Sequence, residues 1–406
     1  MGRFMINGNK RLCGEIAVDG SKNAALPVIF SCILVKGKSV IDNLPDIADV
    51  DVALEILRGF GARVERFPSY AIINTENLVY NVPGEELVSK IRASSYLIGA
   101  CLARFGRAEI QRFGGCNFDA RPIDMHIYAA KALGASLSGD ELYAAKLHGG
   151  DIHFKNVSVG ATVNAILLSA SADGRSRIYG YAREPHVISL IEFLKSGGAD
   201  IIVKPECIEV VGRIITDSYA KIIPDMIEAG TYLALSLITG SVLKIVGADT
   251  GHLDSFIQAL QSAGAKFLSV GDTITATGNL TERADIVTAP YPAFPTDLQP
   301  QTAALLAACF GGKITEGVWH NRFGYLDELS KFGVRFLRGD GYAEIFKSEF
   351  NPANATAPDL RGGAALLLCA LSADGESVIE NSEIIKRGYG NITEKLRRVG
   401  ADIREF

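Results

Sequence analysis

One unit recurs six times along this chain, at a spacing of roughly 65–70 residues. Each copy carries a helix-like segment, then a glycine with a small or β-branched neighbour, then a β-branched run. The copies read ALEILRGFGARVE, YAAKALGASL, LIEFLKSGGADIIV, FIQALQSAGAKFL, ELSKFGVRF and KLRRVGADIREF. Their glycines are Gly61, Gly134, Gly198, Gly264, Gly333 and Gly400. Glycine adopts the left-handed conformation without steric penalty, so each is predicted to stop a helix and start a strand.

Each copy also holds an apolar stretch rich in alanine, serine and glycine. These are KNAALPVIFSCILVKG, RASSYLIGACLARFG, GATVNAILLSASADG, EAGTYLALSLITG, QPQTAALLAACFGG and RGGAALLLCALSADG. A helix that is hydrophobic on every side must be buried. The pattern therefore predicts an α/β fold with helices inside and sheets outside, the reverse of a common α/β barrel. Six copies grouped three and three predict two similar domains with a cleft between them. Ile223 and Pro224 mark the divide, and a strand before Ser21 is expected to return to the second half. The expected domains are 21–223, and 1–20 with 224–406.

The apolar helices begin on polar residues: Lys22 and Asn23, Arg92, Ser158 and Thr162, Glu228, Asp297 and Gln299, and Asp359 and Arg361. Helix N-termini carry free N–H groups and partial positive charge, so these ends are candidate anion sites. A second slot, between a strand and the other helix of each copy, holds Arg121, Arg183, Arg322 and Arg387 in four copies. A single arginine is most often a solvated surface residue. Recurrence in one slot points instead to a compact polyanion bearing phosphate or carboxylate, which guanidinium forks suit.

The loop GGCNFDARPIDMH, Gly114 to His126, places Cys116 five residues before Arg121. A nearby cation lowers a thiol's pKa from about 8.5, making an acid or a nucleophile near neutral pH. The alternative is an exposed thiol without a task. The chain has seven cysteines and no CxxC pair, and Cys32, Cys101, Cys309 and Cys369 lie in apolar runs. That fits a reducing, cytoplasmic setting rather than a disulfide framework. A net charge of −5 argues against general nucleic-acid binding. The N-terminus lacks an apolar signal segment, and no run approaches a membrane span. No metal-binding histidine spacing and no dinucleotide fingerprint stand in the sequence, so no cofactor is expected. GGK at Gly311–Lys313 lacks a phosphate-loop frame and reads as a turn, as does GDGYA at Gly339–Ala343. Trp319 is placed either to stack on a ligand or to pack against a domain wall.

GEIAVDGSKNAALP, GGCNFDARPID, SVGAT, AREP, FPTDLQPQ, NRF, DLR and KRGYGNITEKLRRVGADI, in order over almost the whole chain, resemble the enolpyruvyl transferase family. The resemblance implies two inverse α/β barrels, each of three repeats. It implies transfer of the enolpyruvyl group of phosphoenolpyruvate to the 3-hydroxyl of UDP-N-acetylglucosamine, with release of phosphate, the first committed step of peptidoglycan synthesis. By motif, Lys22, Arg121 and Arg387 would hold the phosphate and carboxylate of phosphoenolpyruvate. Cys116 would protonate or covalently hold the enolpyruvyl carbon, and Asp297 would act as base. Asn23, Arg92, Arg322 and Arg361 would line the cleft. Pro122, Ile123, Asp124, Ser158, Val159 and Gly160 would contact the uridine diphosphate part, and Val318 is a further implied substrate contact. Four positions depart from the family pattern: Asn156 replaces a lysine, His186 a glutamate, and Phe118 and Asp119 an aliphatic residue and a glycine. These leave open another uridine nucleotide as acceptor, in a specialised pathway, or a non-catalytic paralogue that binds a nucleotide sugar. No membrane and no nucleic acid are expected as partners.

Overall fold

All six repeat glycines stop a helix. The computed structural model describes residues 2–110, 113–114 and 122–406, and in it these glycines have φ between +91° and +101°. The helices they end are Ala48–Gly59, Asp124–Ala132, Pro185–Ser196, Asp254–Ser262, Tyr325–Leu329 with its 3₁₀ extension Ser330–Phe332, and Ile392–Arg398. The strands that follow are Arg63–Arg66, Ser136–Ser138, Asp200–Val203, Lys266–Val270, Arg335–Gly339 and Asp402–Glu405. A β-branched or larger residue at such a φ would be strained, which is why glycine recurs there.

The six apolar stretches form the helices Lys22–Ser31, Leu97–Phe105, Val159–Ser171, Met226–Thr239, Gln299–Ala308 and Leu360–Ser372. Every residue from Ala161 to Ala170 and from Leu360 to Leu371 is buried. Each fully buried leucine or isoleucine adds roughly 1.5–3 kcal/mol to stability. Small residues let these helices approach closely: a Cβ on Gly99 would overlap the Asn164 side chain of the neighbouring helix. Hydroxyls inside the helices are satisfied locally, as where Thr231 Oγ1 donates to the Ile227 carbonyl at 2.7 Å and Thr302 Oγ1 to that of Leu298 at 2.8 Å.

The chain divides into two compact units. One holds the described residues from Gly20 to Ile223, and the other holds those up to Asp19 with Pro224–Phe406. The first unit has three sheets, ordered 218–221, 38–42, 71–74, 63–66; then 200–203, 207–211, 175–179, 151–153; and a three-stranded sheet 107–109, 141–143, 136–138. The second unit has 354–356, 376–380, 3–7, 402–405; then 266–270, 273–278, 242–246, 13–17; and 286–288, 312–316, 342–346, 335–339. Each four-stranded sheet combines one parallel pair with two antiparallel pairs. Alternate strand residues are buried, as in Ser218–Lys221, so one face covers the helices and the other faces water.

The N-terminal strand Arg3–Asn7 pairs with Glu376–Glu380 and Asp402–Glu405, and Cys13–Ala17 pairs with Val242–Val246, so the chain start does return to the second half. Within the first unit Ser21 N–H donates to the Ile223 carbonyl at 2.7 Å, and within the second Asp225 N–H donates to that of Asp19 at 2.9 Å. GDGYA forms the expected hairpin turn, and Gly311 takes a left-handed φ of +73° before the strand Gly312–Glu316. Cys32, Cys101, Cys309 and Cys369 are buried as expected, Cys207 is buried too, and Cys13 is exposed. Among the described residues, no helix is long and apolar enough to cross a membrane.

Candidate active site

Asp297 lies in the 3₁₀ turn Thr296–Leu298 that leads into the helix Gln299–Ala308. Two buried guanidiniums hold its carboxylate. Arg322 Nη1 donates to Asp297 Oδ1 at 2.8 Å, and Arg361 Nη2 and Nε donate to Oδ2 at 3.3 and 3.4 Å. Arg322 and Arg361 are 3% and 2% exposed, so both charges are held away from bulk water. Burial disfavours the charged form of Arg361, but Tyr389, Asp297 and Asp225 outweigh it and leave its pKa raised. Arg361 also lies over the Tyr389 ring at 5.5 Å, and the Tyr389 hydroxyl is bound by Thr231 and Gln301. One donor, Arg361 Nη1, is buried without a hydrogen-bond partner. A buried unmatched guanidinium donor is a place where an anion is favoured.

Glu316 ties this cluster to the following loop. It is 1% exposed. Its Oε1 accepts from Thr288 Oγ1 at 2.6 Å and from the Val318 and Trp319 amides at 2.9 and 3.0 Å. Its Oε2 accepts from Thr296 Oγ1 at 2.9 Å, and Thr296 Oγ1 in turn accepts from Arg322 Nη1 at 2.9 Å. Val318, Asp297 and Arg322 are thus brought together through one buried carboxylate. Arg361 joins them, and Arg387 stands at the end of the short helix Glu383–Lys386 in the same unit. Trp319 is half-buried, its amide held by Glu316.

In the first unit Lys22 opens the first buried helix, and its Nζ pairs with Asp49 Oδ2 at 2.5 Å; Asp49 is 3% exposed. Asn23 follows it, half-buried. Pro122 and Ile123 precede the helix Asp124–Ala132, while Ser158, Val159 and Gly160 open the helix Val159–Ser171. The structure brings these two helix starts together. His126, one turn into its helix, lies against Gly160, and its Nδ1 is 2.7 Å from Asn164 Nδ2. Burial, then the charge of Arg92, pull the His126 pKa down to about 4, with Asp124 opposing. Arg92 itself is lowered by burial, with Tyr96 opposing. Cys116, Phe118, Asp119 and Arg121 lie outside the described residues.

The expected anion sites at helix N-termini need correction at two ends. Asp225 Oδ1 accepts from the amides of Ile227 and Glu228 at 2.8 and 3.1 Å, and Asp359 Oδ1 from those of Arg361 and Gly362 at 2.9 and 3.0 Å. At the start of Val159–Ser171, Ser158 Oγ caps one amide, that of Ala161, at 3.3 Å, which does not decide against the anion reading of that end. At Asp225 and Asp359 the local carboxylate caps win because they need no ligand. Glu228 is likewise internal: it takes bonds from Lys395 Nζ at 2.7 Å, Tyr232 Oη at 2.9 Å and Asp19 N–H at 2.7 Å. Arg183 also serves the fold, donating to the Pro205 carbonyl and covering the Tyr181 ring. Asn156 is exposed just before the Ser158 cap, and His186 is buried in the first turn of its helix. Asp49, Asn164, His126, Glu316 and Tyr389 escaped the sequence reading. Most of their partners lie far along the chain, and the motifs that contain His126 and Tyr389 do not single them out by spacing.

Residues 6–396 match the family described as EPSP synthase (3-phosphoshikimate 1-carboxyvinyltransferase). The chain is 40% identical over 414 residues, 99% of each protein, to UDP-N-acetylglucosamine 1-carboxyvinyltransferase 3 of Caldanaerobacter subterraneus subsp. tengcongensis. It is 39% identical, over the whole of both chains, to UDP-N-acetylglucosamine 1-carboxyvinyltransferase of Halothermothrix orenii. Among solved structures, the enolpyruvyl transferase NikO from Streptomyces tendae matches with a TM-score of 0.88 at 26% identity, covering 100% of this chain and 99% of that one. EPSP synthase from Acinetobacter baumannii shares the fold at a TM-score of 0.74 and 17% identity, covering 100% of both chains. With the fold, the ordered motifs and full-length relatives in agreement, the chain belongs to the enolpyruvyl transferase family.

Proposed function

We propose that this protein is an enzyme that transfers the enolpyruvyl group of phosphoenolpyruvate to the 3-hydroxyl of UDP-N-acetylglucosamine. Phosphate is released, and the product enters peptidoglycan synthesis. The observation that carries the reading is Asp297 held between Arg322 and Arg361, with Arg361 Nη1 left over for an anion. The two guanidiniums orient the Asp297 carboxylate, and an arriving carboxylate or phosphate shares their charge. Asp297 takes the proton of the 3-hydroxyl as its oxygen bonds to C2 of phosphoenolpyruvate. Cys116 delivers a proton to C3. The tetrahedral adduct then loses a C3 proton and phosphate, which restores the double bond. Lys22, Arg121 and Arg387 take up the charge of the departing phosphate. Asn23, Arg92 and Val318 line the substrates, and Pro122, Ile123, Asp124, Ser158, Val159 and Gly160 hold the uridine diphosphate part.

The acceptor follows from the relatives. Identity reaches 40% with a protein named for UDP-N-acetylglucosamine, against 26% with NikO. Asn156, exposed beside the Ser158 cap, is the observation that favours the second reading, another uridine nucleotide. We place the reaction in the cytoplasm, in keeping with free thiols at all six described cysteines. The test is phosphate release from phosphoenolpyruvate with UDP-N-acetylglucosamine, other UDP-sugars, UMP and shikimate 3-phosphate as acceptors. Release with UDP-N-acetylglucosamine alone supports the main reading. Release only with another nucleotide selects the second, and no release with any acceptor refutes both.

A further inference from the structure

Asn164 is a fully buried amide in the middle of an otherwise apolar helix, and its contacts determine which way it points. Gly99 N–H, only a donor, stands 2.5 Å from Oδ1. The carbonyls of Ser95 and Gly160, only acceptors, stand 3.1 and 3.2 Å from Nδ2. Nδ2 is therefore the nitrogen, and it also faces His126 Nδ1 at 2.7 Å. A nitrogen that receives N–H cannot carry a proton itself, so the imidazole proton sits on Nε2. That edge of the ring is directed at Gly160: a Cβ there would come within 2.9 Å of Cε1 and 3.1 Å of Nε2. Gly160 stands in the first turn of its helix, where amides lack intrahelical acceptors. His126 is 5% exposed.

We propose that Asn164 is a positioning residue that fixes His126 as the Nε2–H tautomer, a neutral donor beside Gly160 for an oxygen of the uridine diphosphate part. This rests on the nucleotide-sugar reading above. Arg92 and Asp124 are the charged groups acting on the ring; burial and Arg92 disfavour the imidazolium, so the donor stays neutral at physiological pH. A neutral N–H recognises an oxygen acceptor without adding a second cation next to Arg92. Substituting any side chain at Gly160 would push the ring off this position.

Two substitutions separate a ligand contact from a packing lock. Glutamine puts an amide N–H near the Nε2 position, whereas asparagine puts its polar atoms near Nδ1. His126→Asn thus keeps an acceptor for Asn164 but has no distal donor, and His126→Gln does the reverse. The probe is UDP-N-acetylglucosamine, with binding measured by calorimetry. His126→Gln is expected to bind within about threefold of the native protein and His126→Asn to bind about tenfold or more weakly, the loss of one hydrogen bond. Equal binding, or tighter binding by His126→Asn, overturns the ligand role. Nitrogen-detected NMR of the native imidazole at pH 7 should show Nε2–H, and Asn164→Asp should switch it to Nδ1–H or the imidazolium. A native Nδ1–H overturns the inference even if the enzyme is active. A native protein that shows Nε2–H but does not bind UDP-N-acetylglucosamine refutes the functional reading and, with it, the ligand half of the proposal.

Discussion

Glu316 offers a perturbation whose size is readable from its contacts. Glu316→Ala removes the acceptor of two amides, Val318 and Trp319, and of two hydroxyls, Thr288 and Thr296. The hydroxyls rotate and keep other bonds: Thr288 Oγ1 still accepts from Gly317 N–H at 3.0 Å, and Thr296 Oγ1 from Arg322. The amides have no such freedom. Hydrogen bonds to a charged group are worth roughly 1.5–3 kcal/mol each, and the half-exposure of Val318 and Trp319 lets water recover part of that. The expected loss is about 3 kcal/mol for alanine. Glutamine keeps an oxygen for the two amides and turns its NH₂ toward Thr296 Oγ1, which has a lone pair to spare, so its loss is about 1 kcal/mol. Activity should follow a different rule. In the alanine variant Thr296 loses the carboxylate that fixes its hydroxyl, and that hydroxyl positions Arg322 against Asp297. A misplacement of about 1 Å in a catalytic group lowers turnover by up to about 100-fold. The assays are denaturant midpoints at constant slope and phosphate-release kinetics. An alanine variant that loses under about 1 kcal/mol and turns over like the native enzyme would refute the claim that Glu316 positions Asp297.

Three further outcomes follow from named groups. Asp297→Ala should abolish turnover while leaving the protein folded, since its carboxylate is 29% exposed at the start of a helix; near-native phosphate release would show that it is not the base. His126 has its pKa lowered from 6.5 to about 4, so the unfolded chain binds more protons between those values. Its contribution is therefore complete above pH 6.5 and is lost as pH falls through about 4; the shift corresponds to about 3 kcal/mol. Acid unfolding of the native protein and of His126→Gln should diverge in that window, and parallel curves would contradict the assignment. Fosfomycin, a phosphonate epoxide, should alkylate Cys116 with loss of activity, faster in the presence of the nucleotide sugar. Among the described cysteines only Cys13 is exposed, while burial pushes Cys32 up to about 12 and Cys309 to about 11, so labelling at Cys13 with activity retained would refute Cys116 as the site thiol.

What the sequence made legible was whatever a repeat or a short spacing encodes. Six glycines at one register announce six left-handed helix stops, because only local backbone sterics decide that conformation. An apolar stretch without a polar face must be buried whatever surrounds it, and all six such stretches are helices with buried cores. Asp297, Arg322 and Arg361 were findable because repeat position and motif point to each one. Their convergence on a single carboxylate was not, since that depends on how three separate segments pack. The same limit hid Glu316, whose partners at 288, 296, 318 and 319 give no periodic signal, and Asp49, which looks like an ordinary first-turn helix acid. The helix-end argument failed for a different reason. A free N–H turn attracts any anion, and Asp225 and Asp359, at the cap positions themselves, close two ends before a ligand can. A helix terminus therefore stays an open anion site only where the residue at its cap makes no capping bond. By that criterion the starts of Lys22–Ser31, Leu97–Phe105 and Gln299–Ala308 stay open: Ser21, Tyr96 and Leu298 make no side-chain capping bond, and the cation after Ser21 is held by Asp49 within the same unit. Those ends, rather than the two closed by a carboxylate, are where the anion-site reading of the repeat is strongest.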